Sequence, residues 1–503
     1  MTRVALVVPL TTDILEREDS SISLEYLGHS YIASYLRSNN IEVYIIDSFL
    51  EKLSSEQVCK KLSENTYDFV FFTIMSQDYL EMTKIILSKL ASINFKVVIG
   101  GRHISNQDES LFKEIERLDY ILDGEGEYSS LELVKGNDLS DIHGLIWKDE
   151  NGNIIRNRKR ELLSEIELDQ LPFPSRDTLK HVIKNKYLKQ ASVLASRGCQ
   201  GNCYFCGVAS YNNHQIGKRW KGRSPQNVVR EIKELVNEYG INYIYFTDDD
   251  FIGPGYENQK RAQEFARLLI KEKLNIKYTI FTRADVVEYD TFKLLKESGV
   301  NNIFIGVEFG VDRILKFYNK GINKEQIKHS LKVLEDLELK SSIGYIMFEP
   351  TMTIDELKEN LEFYFENVDF RLKMLLVQLA IYDNCEAYTH VKDIIDVDEY
   401  KTNHYLFGDI HSYRFKDKKV EIVFKILNES VYSISPSNYL QKVRKLKLNE
   451  KDYNDYCKIW SDGLLKIIIN LINKIKIKEF TYEEIEFLSS DFKSSLLNWD
   501  MSL

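Results

Sequence analysis

Residues 196–207 read Ser196-Arg197-Gly198-Cys199-Gln200-Gly201-Asn202-Cys203-Tyr204-Phe205-Cys206-Gly207. Three of the chain's six cysteines fall within these twelve positions, spaced Cys-x-x-x-Cys-x-x-Cys. Thiolates are soft ligands, suited to zinc or to iron–sulfur clusters. Three of them on a tight loop can hold three irons of a cubane and leave the fourth iron open. Zinc would ask for a fourth protein ligand, and His214 is near enough in sequence to be one. Six cysteines among 503 residues do not make a disulfide scaffold, so the cluster reads as a metal or redox site in a reducing compartment.

Outward from this loop, residues ~190–385 alternate strand-like and helix-like runs. Ser192–Ser196 reads as a strand leading into the cysteines. Tyr243–Phe246 ends in Asp248-Asp249-Asp250, Tyr278–Phe281 ends at Arg283 and Asp285, Ile303–Val307 carries Glu308, and Ser341–Phe348 ends at Glu349-Pro350. Helical spacing falls between them, over 228–239, 261–272, 292–297 and 355–365. Repeated βα units of this length predict a full or partial barrel, whose chemistry sits at the carboxyl ends of its strands. The cysteines, the aspartates, Arg283 and Glu308 all fall at such ends.

Residues 1–139 show the same rhythm in a different form. Apolar runs at 3–9, 41–46, 68–74, 96–99 and 120–122, with helical patterns between them, predict a doubly wound parallel sheet. Two glycine-bearing turns, Gly100-Gly101-Arg102-His103 and Gly124-Glu125-Gly126-Glu127, lie at its carboxyl edge, where such sheets bind ligands. Residues 140–189 read as a connector with a hairpin over 146–155 turning at Asn151-Gly152 and an extended joint at Leu171-Pro172-Phe173-Pro174. Residues 389–503 lose the βα rhythm and read as mainly helical; their apolar helix 464–475 is too short for a membrane span. Asp47 after the second strand hints at a ribose contact, but no Gly-x-Gly-x-x-Gly follows the first strand.

The ordered set resembles the radical S-adenosylmethionine enzymes: the cysteine spacing after the first barrel strand, Phe205 before the third cysteine, Arg197-Gly198 before the loop, Trp220-x-x-Arg223-Ser224-Pro225 after it, Asp248-Asp249-x-Phe251, Arg283-Ala284-Asp285 and Gly306-Val307-Glu308. The resemblance implies a 4Fe–4S cluster on Cys199, Cys203 and Cys206, and S-adenosylmethionine contacts from Phe205, Asp248, Asp249, Arg283 and Glu308. With Leu27-Gly28-x-x-x-x-Ala33-x-Tyr35-Leu36-Arg37 and the two glycine turns, the N-terminal sheet is similar to that of the cobalamin-binding class of these enzymes. That likeness implies cobalamin contacts from Leu10, Thr11, Thr73, Ser76, Gly100, Gly101, Arg102, His103, Gly124, Glu125 and Glu127. The Asp-x-His-x-x-Gly motif of methionine-synthase-like proteins is missing; Asp141-Ile142-His143 is its nearest string and sits in the connector. The cobalt would then have no histidine ligand of that kind.

The family likeness implies a methyltransferase acting on an unactivated carbon or phosphorus of a natural product or peptide, through methylcobalamin and a 5′-deoxyadenosyl radical. A non-methylating cyclisation, rearrangement or oxidation with the same cofactors is the alternative. An electron donor such as flavodoxin or ferredoxin is implied as a partner. A methylthiotransferase is excluded, because that class carries three further N-terminal cysteines and this region has only Cys59. Cys385 and Cys457 read as isolated thiols and cannot hold an auxiliary cluster. With Lys+Arg at 67 and Asp+Glu at 77, the net charge of −10 disfavours a nucleic-acid partner. The basic stretch Lys218, Arg219, Lys221, Arg223 reads as a solvated loop against the barrel. The apolar N-terminal run lacks a cleavage site and precedes Asp13, Glu16, Glu18 and Asp19, which argues against a signal peptide and for a cytoplasmic protein.

Overall fold

The computed structural model describes residues 2–12, 24–90, 94–104, 110–183, 189–368, 371–402, 409–431 and 450–502. Its first sheet contains β1 (Arg3–Val8), β2 (Glu42–Asp47), β3 (Phe69–Thr73), β4 (Lys96–Gly100), β5 (Leu118–Leu122), β6 (Leu145–Lys148) and β7 (Ile154–Arg156), in the spatial order β2-β1-β3-β4-β5-β6-β7. The first five are parallel. Their order reverses between β1 and β3, the switch point where such sheets open a ligand crevice. Helices cover both faces: Ser55–Ser63 and Gln77–Lys89 pack on one, and Leu27–Ser38 and Gly126–Val134 on the other. Apolar side chains therefore run continuously along the strands, as burial on both faces requires.

The hairpin expected in the connector forms, but it also joins this sheet. β6 and β7 add to β5 antiparallel, so the sequence read the turn and not its attachment.

The second sheet runs β14-β13-β12-β11-β8, all parallel, and contains β8 (Gln190–Val193), β11 (Tyr243–Phe246), β12 (Lys277–Arg283), β13 (Val300–Glu308) and β14 (Ser341–Tyr345); β9 (Ser196–Gly198) and β10 (Trp220–Gly222) form a separate two-stranded ribbon. Helices Pro225–Tyr239, Gly255–Glu272, Tyr289–Ser298, Lys324–Asp336 and Ile354–Asn367 connect or follow the strands. Their starts follow the usual rules: Ser224 caps with Pro225 next, and Asn323 and Thr353 form capping boxes. The result is an open partial barrel. One expectation changes here. Ser192–Ser196 is not a single strand: the chain leaves the parallel sheet at Val193, and Ser196–Gly198 pairs antiparallel with β10 instead. Asp248 holds that break, accepting from Ala195 N at 3.1 Å and from Ser196 Oγ.

The C-terminal part is helical, over Lys418–Val431, Glu450–Lys476 and Tyr482–Ser502, with one added ribbon of β15 (Ile395–Thr402) and β16 (Asp409–Tyr413). It does not keep a separate core. Val420, Val423, Leu464, Ile468, Ile472 and Phe492 belong to the same apolar cluster as the barrel. No helix among the described residues is long and apolar enough to cross a membrane.

Candidate active site

The cysteine loop is held from four sides. Tyr204 N donates to Tyr318 O, Asn319 Nδ2 to Asn202 O, Asn212 Nδ2 to Cys199 O, and Arg219 Nη2 to Gly201 O at 2.9 Å. Gly198, which opens the loop, has φ +81°, and a Cβ there would lie 2.0 Å from Arg219 O. No other residue fits that crossing of β9 and the chain before β10. Phe205 packs edge-on against Phe309 and Tyr318.

The three sulfurs lie in a buried setting that carries positive charge. Gly201 N reaches Cys199 Sγ at 3.3 Å and Arg283 Nη1 reaches Cys203 Sγ at 3.7 Å. Burial pushes the Cys199 thiol up to about 12, with Asp250 adding to the effect, and raises the Cys206 thiol too. Among the described residues no three His, Cys, Asp or Glu side chains converge on one ion. A zinc site needs such convergence, so the zinc alternative finds no support; His214 Nδ1 bonds Ser210 O on its own helix. A cubane asks for one thiolate per iron, and three cysteines on one buried loop fit it.

The remaining barrel-edge residues have distinct placements. Both Asp248 oxygens are taken by the β8–β9 break, and burial lifts its pKa to about 7. Asp248 therefore shapes the loop in this structure. Asp249 is bonded by Arg102 of the other sheet, at 2.9 and 3.1 Å. Asp250, absent from the expected set, accepts from Thr282 with one oxygen and leaves Oδ2 buried without a partner. Its charge is felt at both Cys199 and Arg283. Arg283 forks onto Asp285 and also donates to Lys320 O. Glu308 stands in the left-handed region at φ +71°, a strained position for a side-chain-bearing residue, and accepts from Lys320 Nζ at 2.9 Å. Lys320 is buried; burial opposes its charge, and Glu308 followed by Cys203 outweigh that. The sequence placed Asp250 at a strand end without a contact of its own, and nothing in the pattern marked Lys320, whose placement depends on which strand ends meet.

At the edge of the first sheet the turns dominate. Leu10 and Thr11 follow β1, Thr73 ends β3, and Ser76 precedes the helix Gln77–Lys89. Gly101, at φ +126°, would place a Cβ 2.2 Å from Ile74 O. Gly100 O accepts from Ile74 N, and His103 N donates to Ile74 O, which closes the turn. Burial lowers the His103 pKa, with Asp383 opposing. His143 is exposed ahead of β6.

Several charged residues of the glycine turns are engaged elsewhere. Glu125 pairs with Arg197 at 3.0 Å and Lys221 at 3.4 Å and accepts from Leu163 N; Glu127 pairs with Arg197 at 2.6 Å. Arg197 also lies over the Tyr31 ring. These carboxylates dock the barrel onto the sheet through Arg197 and Lys221. The basic stretch, expected as a solvated loop, is corrected. Lys221 and Arg223 are buried, and Arg223 bonds Glu231, Asn227 and Tyr31; Lys218 alone of the four pairs at the exposed surface, with Glu165. Gly124, in contrast, faces only the Gln215 side chain. Cys385 is buried behind Phe205, its Sγ 3.5 Å from Phe205 O; the side chain of Cys457 lies outside the described residues.

The two carboxyl edges thus face each other, with Arg102 spanning from the Gly100–His103 turn to Asp249 and lying over Tyr211 of the helix that follows Cys206. The switch-point turns and the thiol loop are neighbours across one pair of side chains. The family model of the radical SAM superfamily matches residues 193–364, and that of the B12 binding domain residues 23–134. The chain is 32% identical over 370 residues to an uncharacterized methyltransferase of Pyrococcus horikoshii, covering 72% of this chain and 77% of that one. It is 28% identical over 377 residues to 4'-phospho-dehydrooxetanocin synthase of Priestia megaterium, covering 69% of this chain and 49% of that one, so it spans about half of that relative's length. Its fold is similar to that of the cobalamin-dependent S-adenosylmethionine radical enzyme OxsB with aqua-cobalamin bound, with a TM-score of 0.78 at 21% identity, over 99% of this chain and 78% of that one. With a 4Fe–4S cluster, S-adenosylmethionine and cobalamin as its cofactors, the chain belongs to the cobalamin-dependent radical S-adenosylmethionine enzymes.

Proposed function

We propose that this enzyme transfers a methyl group to an unactivated carbon or phosphorus of a natural product or peptide. The observation that carries the reading is the facing of the two carboxyl edges, which brings a methyl carrier and a radical source to one cleft. When bound, the cluster supplies one electron, S-adenosylmethionine a radical source and a methyl donor, and cobalamin a methyl carrier.

The chain's own residues have these parts. Cys199, Cys203 and Cys206 hold the cluster. Arg283 and Lys320 set positive charge beside Cys203, where they favour an electron-rich cluster and an anionic carboxylate. Asp250, with its free buried oxygen, receives the amino group of S-adenosylmethionine, next to Asp248 and Asp249. Phe205 and Glu308 border that site. Leu10, Thr11, Thr73, Ser76, Gly100, Gly101, His103 and Gly124 form the cobalamin floor. The chain divides into a cobalamin unit over 1–139, a connector over 140–189 whose hairpin belongs to that unit's sheet, a barrel over 190–388 and a helical part over 389–503 that packs into the barrel core. The reductant is a small electron-transfer protein such as flavodoxin or ferredoxin, and the setting is the cytoplasm.

The name of the Priestia relative, a synthase, supports a second reading without methyl transfer. One experiment separates them. Protein purified anaerobically from cobalamin-fed cells should carry about four irons and about one cobalt per chain. Candidate substrates should then yield S-adenosylhomocysteine together with 5′-deoxyadenosine. 5′-Deoxyadenosine alone selects the second reading; iron without cobalt removes both.

A further inference from the structure

We propose that the Arg102–Asp249 pair couples the two cofactor sites, so that filling one tightens binding at the other. The inference rests on the cofactor placement given above and adds to it a positioning role for two side chains. Asp248, Asp249 and Asp250 are consecutive, yet each is held by a different part of the molecule. Asp248 is tied to the β8–β9 break, and Asp250 to Thr282 with one oxygen free near Cys199 and Arg283. Asp249, between them, has both oxygens on a guanidinium from the other sheet. A displacement of Asp249 therefore reaches both neighbours through one peptide unit each, which is stiff.

The other end of the pair is equally constrained. Arg102 follows Gly101, whose backbone admits no side chain against Ile74, in a turn closed by hydrogen bonds between residues 74, 100 and 103. A ligand seated on that turn cannot shift it without moving the Arg102 backbone. The guanidinium also lies 5.7 Å from the Tyr211 ring centre, on the helix that begins after Cys206. One side chain thus touches the cobalamin turn, the strand end at the S-adenosylmethionine site and the helix leaving the cluster loop. The pair differs from the Arg197 latch: Arg102 remains 37% exposed, whereas Arg197 is 16% exposed against carboxylates at 11% and 4%. Half-open and bidentate, it has room to change with occupancy while fixing orientation. Coupling of this kind is reciprocal.

The test uses the full chain with its cluster, kept oxidised so that no turnover occurs. S-adenosylmethionine affinity is measured by anaerobic equilibrium dialysis with and without hydroxocobalamin. The wild type is expected to bind about fivefold tighter or better with hydroxocobalamin present. In Arg102→Gln and in Asp249→Asn the ratio falls to about one, and the double variant shows no further loss. Iron content and melting temperature confirm that each variant is folded. A direct contact without coupling would weaken one ligand and leave the ratio unchanged, which overturns the proposal. A wild type that takes up both cofactors with a ratio of one overturns the coupling alone; a wild type that takes up no cobalamin removes the cofactor placement and the coupling together.

Discussion

The two sheets meet carboxyl edge to carboxyl edge, but they equip those edges differently. The barrel edge is built of side chains: three thiols, Asp248 to Asp250, Arg283, Glu308 and Lys320, most of them buried and cross-bonded. The edge of the first sheet is built of backbone turns, and its charged side chains Arg102, Glu125 and Glu127 reach across to the barrel. A side-chain-lined edge can ligate metal and polarise small groups. A turn-lined edge presents amides and space, which suits a large, flat ligand. A charged residue next to a glycine turn is thus as able to dock a domain as to bind a ligand, and only its partner tells which.

The sharpest break in this comparison comes from the cysteines. Changing Cys199, Cys203 or Cys206 to Ala should reduce bound iron to near zero and abolish S-adenosylmethionine cleavage, measured as 5′-deoxyadenosine; retained cleavage would contradict the cluster assignment. Next in size is Gly101→Val. With a Cβ forced onto Ile74 O, cobalamin retention should drop by about tenfold or more while iron stays bound; unchanged retention in the absorption spectrum would detach that turn from the cofactor. Third is Arg197→Met. It leaves Glu125 and Glu127 buried with Lys221 as their remaining cationic partner among the described pairs, and should cost about 3 kcal/mol in denaturant unfolding; a neutral result would make the latch dispensable.

The smallest effect on cofactor content is at Asp47, the last residue of β2. Its Oδ1 caps Leu50 N while Oδ2 is buried without a partner, and burial lifts its pKa from 3.8 to about 7. The folded state holds a proton there that the unfolded chain has lost, so this group's contribution to stability declines as pH rises from about 4 to about 7. Asp47→Asn keeps the cap and removes the charge. It should flatten that decline, by about 1.4 kcal/mol per pH unit, and raise the melting temperature by a few degrees at pH 8. An unchanged pH slope would show that Asp47 stays ionised in the fold.

Much of this was legible beforehand for physical reasons. The cysteine spacing is local, so a short window holds it all. Parallel strands buried on both faces give continuous apolar runs, which marked β1 to β5 and β11 to β14. The bonds of Asp248 and the burial of Lys221 escaped because they depend on partners far along the chain: Asp248 meets Ser196 at a separation of 52 residues, and Lys221 meets Glu125 at 96. The break between β8 and β9 escaped because both halves have strand-like composition and only pairing separates them.

The sequence by itself determined the βα rhythm of both units, the metal chemistry of the loop and the glycine turns, since periodicity, ligand softness and the absence of a Cβ are properties of neighbours in the chain. Only the tertiary structure decided that the β6–β7 hairpin extends the first sheet, that the C-terminal helices share the barrel's core, and that Glu125, Glu127 and Arg102 dock across the cleft. Those outcomes follow from burial and charge pairing between distant segments, where a buried ion takes whichever counter-ion the fold brings within reach.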